Sequence, residues 1–198
     1  MTAGHQGRDR VGEAFAAVPR QGFLPQRQRR HEGYDGPLPI GHGQTNSQPR
    51  TVADMLRLLD VRPGDRVLDV GSGSGWTTAL LAHLTGPEGS VSGVEIEPDL
   101  VAFGSANLEA TEQPWASIRL AEPGVLGLPA GAPYDRILVS AEASVLPDEL
   151  VDQLTVQGRM VIPVFGTMLL VVRGDGTAEG EDEVRVTRHG GYRFVPLR

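Results

Sequence analysis

Two acids bracket a glycine-rich turn in this chain, and their types and spacing point to a ligand. Val67-Leu68-Asp69-Val70 reads as a short buried strand. It runs into Gly71-Ser72-Gly73-Ser74-Gly75, after which a helical pattern begins. Glycines at such a strand-to-helix turn let a ligand approach the backbone closely. Glu95 ends the next strand pattern, 24 residues beyond Gly71, with Ile96 beside it. An acid in that place can accept hydrogen bonds from both hydroxyls of a ribose.

Asp69 chooses between nucleotides. A nicotinamide cofactor lays its pyrophosphate on the helix N-terminus, and its usual motif is Gly-x-Gly-x-x-Gly rather than the Gly-x-Gly-x-Gly found here. An acid at the mouth of the loop would repel a pyrophosphate. It would attract the ammonium or sulfonium of S-adenosyl-L-methionine, by several kcal/mol at about 4 Å and intermediate dielectric. The expected ligand is a phosphate-free, positively charged nucleoside, with S-adenosyl-L-methionine ahead of NAD. Each feature alone is ordinary in turns, caps and surfaces; the ordered set carries the argument.

Composition narrows the chemistry. The chain has 198 residues, a net charge of −7 and no cysteine. Disulfides, thiolate nucleophiles and cysteine metal sites are excluded, and no metal site is expected. All 18 basic residues are arginine, which removes Walker-lysine and Schiff-base chemistry. An acidic chain is a poor non-specific partner for nucleic acid. The cluster Arg27, Arg29, Arg30 and His31 reads as a solvated surface segment. No apolar run reaches the ~20 residues of a membrane helix, and no hydrophobic leader follows the first residues, so a cytoplasmic protein, without membrane or nucleic-acid partners and monomeric, is expected.

The positioning elements alternate in type. Helical patterns cover residues 11–18, the stretch after Ser47 with Val52, Met55, Leu56 and Leu59 on one face, 76–84, 98–108 and 147–154. Ser47 followed by Pro49 suggests an N-cap for the second of these. Strand patterns cover 66–70, 90–96, 116–120, 134–140, 160–164, 168–172, 184–188 and 192–197, with a polar turn at 174–183. Such alternation predicts an α/β fold, a doubly wound, mostly parallel sheet flanked by helices. One domain is expected, with residues 1–60 carrying N-terminal helices and a substrate loop and 61–198 the cofactor-binding sheet. Residues 33–49 are too long for a plain connector, and long ordered loops are often functional.

That segment carries a resemblance. Residues 34–49, Tyr-Asp-Gly-Pro-Leu-Pro-Ile-Gly-His-Gly-Gln-Thr-Asn-Ser-Gln-Pro, resemble the signature of the protein-L-isoaspartate O-methyltransferases. Val18-Pro19-Arg20-Gln21-Gly22-Phe23-Leu24-Pro25, Pro133-Tyr134-Asp135-Arg136-Ile137, residues 158–164 and the C-terminal Tyr192-Arg193-Phe194-Val195-Pro196-Leu197 also match. The likeness spans nearly the whole chain.

The resemblance implies a Rossmann-like S-adenosylmethionine-dependent methyltransferase fold and a repair reaction. A methyl group would pass to the free α-carboxyl of an isoaspartyl residue in a damaged peptide or protein, releasing S-adenosyl-L-homocysteine. Ser47 matches the serine of the family's Thr-Ile-Ser triplet, which acts at the substrate carboxylate, so Ser47 is the expected catalytic residue, an orienting donor rather than a nucleophile. Ile40, Gly41, His42, Gly43, Gln44, Thr45 and Asn46 form the expected substrate loop. Asp69, Gly71, Ser72, Gly73, Ser74, Gly75, Glu95 and Ile96 are expected to bind cofactor. Where the family carries Gly-Asp-Gly after the fourth strand, this chain has Ala121-Glu122-Pro123-Gly124, so Glu122 stands in for the acid on the adenine side. Asn46 replaces a common isoleucine, and Glu142 lies where small residues are usual. These departures keep other readings open: a different carboxylate acceptor, a cofactor-binding homologue with weak catalysis, and a nicotinamide dehydrogenase, against which Asp69 argues.

Overall fold

The computed structural model describes residues 9–175 and 184–198. Its frame is a seven-stranded sheet in the order β5-β4-β3-β6-β7-β8-β9. Strands β3 (Arg66–Val70), β4 (Ser90–Glu95), β5 (Ala116–Leu120), β6 (Tyr134–Val139) and the start of β7 (Leu154–Val164) run parallel. The hairpin partner β8 (Thr167–Arg173) and then β9 (Val184–Gly191) add antiparallel edges. The order of strand addition reverses between β3 and β6: from β3 the chain winds outward through β4 to β5, then crosses back to β6 on the other side. Open α/β sheets bind ligands at such a switch point, beyond the carboxyl ends of the strands.

Side-chain alternation along the strands builds two apolar layers. Val67, Val91, Leu138 and Val161 face a layer formed with α1 (Arg10–Ala17), α2 (Pro49–Leu59) and α3 (Trp76–Thr85). Leu68, Val70, Ile137, Val139, Met160 and Ile162 face the other, with Leu150 and Leu154. The central strands β3 and β6 are covered on both faces, so most of their residues are buried regardless of alternation. Helix α2 buries the expected Val52, Met55, Leu56 and Leu59. Helix α3 is buried along nearly its whole surface, and α4 (Pro98–Glu109) covers the edge beside β4 and β5.

Several expectations are corrected. The helix expected over 147–154 is only α5 (Asp148–Val151), because β7 starts at Leu154 and is eleven residues long. The last expected strand, 192–197, is an extended segment with one isolated bridge, Pro196 to Glu142 in the stretch after β6. The N-cap of α2 is Gln48, not Ser47, with Pro49 in the first turn. The turn expected at 174–183 lies, beyond Asp175, outside the described residues. Residues 33–49 contain a hairpin, β1 (Leu38–Gly41) against β2 (Gln44–Asn46). His42 and Gly43 turn it with φ of 51° and 71°, the two positive values a tight primed hairpin turn requires. Among the described residues, no helix is long and apolar enough to cross a membrane.

Candidate active site

A cleft of about 830 Å³ opens above the carboxyl ends of the strands, within the range of small-ligand pockets. Its floor is Gly71 to Ser74, after β3. One wall is Glu95 and Ile96, after β4, together with residues 121–127, after β5. Ser140, Ala141, residues 143–149 and residues 195–198 make another wall. Ile40, Gln44, Thr45, Asn46 and Ser47 of the N-terminal hairpin region close the cleft from above. Glycine-loop residues and hairpin residues therefore share one space.

The glycine loop is fixed by its own backbone. Gly71 and Ser72 donate N–H bonds to Val94 O (2.9 and 3.1 Å), and Gly75 donates to Ser72 O (2.8 Å). Gly73 N–H donates to Glu95 Oε2 at 2.9 Å. Four of the five loop amides thus point into the protein, which leaves little for a pyrophosphate to accept. Gly75 has a φ of 88°, and a Cβ there would lie 2.8 Å from Gly104 O. A Cβ on Gly104 would lie 2.7 Å from Gly73 O. The loop and α4 are in backbone contact, and only glycine fits both sides.

The two acids have different settings. Glu95 lines the cleft and is nearly buried. Its Oε1 accepts N–H bonds from Ile96 (2.8 Å) and Glu97 (3.1 Å), opposite the Gly73 bond to Oε2. Each carboxylate oxygen accepts about two bonds, so Oε2 retains room for a ribose hydroxyl. Asp69 corrects the expectation: its side chain is fully buried under the loop rather than lining the cleft. Its Oδ2 accepts bonds from the Thr77 and Thr78 hydroxyls, both at 2.7 Å. Burial, helped by the nearby Glu95 charge and opposed by the two hydroxyls, raises its pKa to about 6. Two buried oxygens at the site, Asp69 Oδ1 and Ser72 Oγ, lack a protein partner. Buried polar atoms without partners are uncommon, and these two lie at and just beneath the cleft floor.

The hairpin side is organised by Arg20, a residue the sequence reading passed over. Its guanidinium is buried 5.6 Å from the centre of the Trp76 ring. It donates to Asn46 Oδ1 (2.7 Å) and to the carbonyls of Tyr34 (2.9 Å), Gly36 (2.9 Å), Asn46 (3.0 Å) and Ser47 (2.9 Å). The five-donor fork of arginine suits this convergence of carbonyls. The available signal was a charged residue next to Pro19 in an otherwise apolar motif. Burial lowers the Arg20 pKa to about 10, still charged at neutral pH.

Other expected residues lie elsewhere. Gly41, His42 and Gly43 form the hairpin turn and do not line the cleft. His42 instead reaches the start of α4, with Nε2 3.1 Å from Asp99 and Nδ1 3.7 Å from Glu97. Gly75 packs on Gly104 behind the floor. Glu122 and Pro123 do line the cleft. Glu142 does not; its backbone pins the C-terminal segment, accepting from Leu197 N–H and donating to Val195 O, both 2.7 Å. The basic cluster Arg27, Arg29, Arg30 and His31 is exposed.

The cleft thus has a buried-edge acid, Glu95, in one wall, few free amides in its glycine loop and a hairpin over its mouth. A family model described as protein-L-isoaspartate(D-aspartate) O-methyltransferase matches residues 2–198. The chain belongs to this family. A protein-L-isoaspartate O-methyltransferase of Methanopyrus kandleri is 46% identical over 193 residues, covering 96% of this chain and 83% of that one. A Plasmodium falciparum protein assigned as a protein-L-isoaspartate O-methyltransferase, solved in complex with S-adenosyl-L-homocysteine, superposes with a TM-score of 0.80 at 28% identity, covering 98% of this chain and 91% of that one. A further solved protein-L-isoaspartate O-methyltransferase gives a TM-score of 0.84 at 24% identity; it covers 96% of this chain, which spans 61% of that longer chain, and supports the fold. The fold is that of the S-adenosylmethionine-dependent methyltransferases, as the sequence implied.

Proposed function

We propose that this chain transfers a methyl group from S-adenosyl-L-methionine to the free α-carboxyl of L-isoaspartyl residues in damaged peptides and proteins. S-adenosyl-L-homocysteine is the product. The observation that carries the reading is the continuity of the cleft, lined at once by the glycine loop with Glu95 and by hairpin residues 44–47.

When bound, the cofactor supplies an electrophilic methyl on a positively charged sulfur. Glu95 would hold the ribose hydroxyls. Ile96 would pack on the adenine, with Glu122 near its polar edge. Gly71, Gly73 and Ser74 would form the floor, Gly75 would fix the loop behind it, and Ser72 Oγ would find its missing partner on the ligand. Asp69 would act from beneath, its charge balancing the cation through the loop. Above a pH of about 6 it is mostly ionised, the state that favours a cationic ligand.

The acceptor needs little activation. An α-carboxyl of pKa roughly 3.5 is already ionised at neutral pH. The work of the chain is to align its oxygen with the methyl and exclude water, and alignment can supply about 7–11 kcal/mol. Ser47 would orient the carboxylate by its hydroxyl, with Gln44, Thr45 and Asn46 beside it and Ile40 covering the cleft. Gly41, His42 and Gly43 would shape the hairpin that carries them. Because α2 is capped at Gln48, Ser47 is free of the capping role that competed with this one.

We take the chain as one catalytic domain, residues 1–60 supplying the acceptor side and 61–198 the donor side. It would act as a cytoplasmic monomer on protein substrates, without nucleic-acid or membrane partners; the net charge of −7 supports the absence of a nucleic-acid partner. Labelled methyl transfer to paired peptides, one isoaspartyl and one aspartyl, tests the activity. Transfer to the isoaspartyl peptide alone is expected. Equal transfer to both, or to neither, would overturn the repair reading and favour another carboxylate acceptor.

A further inference from the structure

The donor and acceptor halves of the cleft meet at one buried polar chain. Arg20 is a pure donor, so its Nε bond at 2.7 Å must go to the amide oxygen of Asn46. That orientation turns Asn46 Nδ2 toward the glycine loop, where it donates to Ser74 Oγ at 3.1 Å. Asn46 and Ser74 are both buried, and both line the cleft. The same guanidinium grips the carbonyls of Asn46 and Ser47. Ser74 is held from behind, its carbonyl accepting from Asn107 Nδ2 of α4 at 3.0 Å. An unbroken hydrogen-bonded path therefore runs from the acceptor serine, through Arg20 and Asn46, to the cofactor floor and α4. An apolar side chain at position 46 would break it in the middle.

We infer that Asn46 is a positioning residue, whose amide locks the Ser47 segment to the glycine loop so that acceptor and methyl donor are held in one frame. This rests on the proposed activity for its kinetic consequence, but not for its structural one. Loss of the bridge should let residues 44–47 move against the floor while leaving both halves folded.

Two kinds of readout test it. In the cofactor-free protein, Ser74→Ala and Asn46→Ala should speed amide hydrogen exchange across residues 44–47 by about tenfold, with exchange in β3 and β4 unchanged. In peptide methylation, each variant should lower kcat/KM by about tenfold or more, and the double variant by no more than Asn46→Ala alone. Asn46→Asp keeps an acceptor for both Arg20 and the Ser74 hydroxyl, and should recover most of the loss. Unchanged exchange in both single variants, additive kinetic losses, or failure of Asn46→Asp to recover what Asn46→Ala loses would overturn the bridge. If the wild-type chain ignores the isoaspartyl peptide but the exchange result holds, the activity assignment fails and the bridge stands.

Discussion

The two sides of the cleft are built by different means. The donor side is backbone: parallel ladders, loop amides on Val94 O, and Gly75 and Gly104 in contact with no room for a Cβ. The acceptor side is a short hairpin and irregular chain, gathered around the buried guanidinium of Arg20. A floor made by ladders gives a ligand a fixed platform whose sequence needs are glycine and apolar residues. A cover made by side-chain bonds, such as those of Asn46, can be retuned by single substitutions.

That contrast predicts which half each change breaks. The largest effect is expected from Arg20→Ala. It leaves several buried carbonyls without donors, each worth about 1–3 kcal/mol. Isoaspartyl methylation should be lost and exchange across residues 34–47 should rise, while S-adenosyl-L-homocysteine still binds within a few-fold by calorimetry. Next comes Gly104→Ala, which pushes a methyl against Gly73 O and should cost about 1–3 kcal/mol. Here the pattern reverses: cofactor affinity falls sharply and the hairpin stays protected. If both variants lose both properties equally, the halves are not separable.

An effect of comparable size has the opposite sign. At pH 7.5 the cofactor-free protein holds Asp69 ionised against a raised pKa of about 6, a cost on the order of 3 kcal/mol. That cost is complete above the folded pKa and absent below the ordinary 3.8, since the folded state then keeps the proton no better than the unfolded one. Asp69→Asn should therefore raise the melting temperature at pH 7.5 by several degrees, with a gain that shrinks toward pH 4. It should also weaken binding of S-adenosyl-L-methionine more than that of the uncharged-sulfur product. A variant that melts lower at every pH would contradict this account of the buried acid. The smallest effect is expected from His42→Ala. Its contacts with Glu97 and Asp99 are partly exposed, so at most about 0.2–1 kcal/mol is at stake. A modest rise in peptide KM should suffice to detect it.

Much of the donor side was legible in the sequence because local rules produce it. The strand, glycine loop, helix and second acid follow one another within 30 residues, and the apolar stretches of β3 and of the second half of β6 fit strands buried on both faces. The acceptor side was legible as important but not as a shape. Leu38 and Ile40 do alternate toward the core, yet a three-residue partner strand with Thr and Asn gives almost no pattern, and only the His42-Gly43 turn marks the hairpin. Arg20 was missed because its partners lie 14 to 27 residues away, a relation no local period encodes. Asp69 was placed correctly along the chain but wrongly in depth. Its period within β3 could not reveal that Thr77 and Thr78 would enclose it. The overlong helix at 147–154 had acidic first-turn residues in its favour, and lost to an eleven-residue strand that pairs on both sides.

The most direct measurement is a crystal structure of this chain with S-adenosyl-L-homocysteine and an isoaspartyl peptide. The account predicts ribose hydroxyls on Glu95 and the peptide's free carboxylate beside Ser47, within methyl-transfer reach of the sulfur. A peptide bound away from the hairpin, or a nucleoside bound away from Glu95, would contradict it.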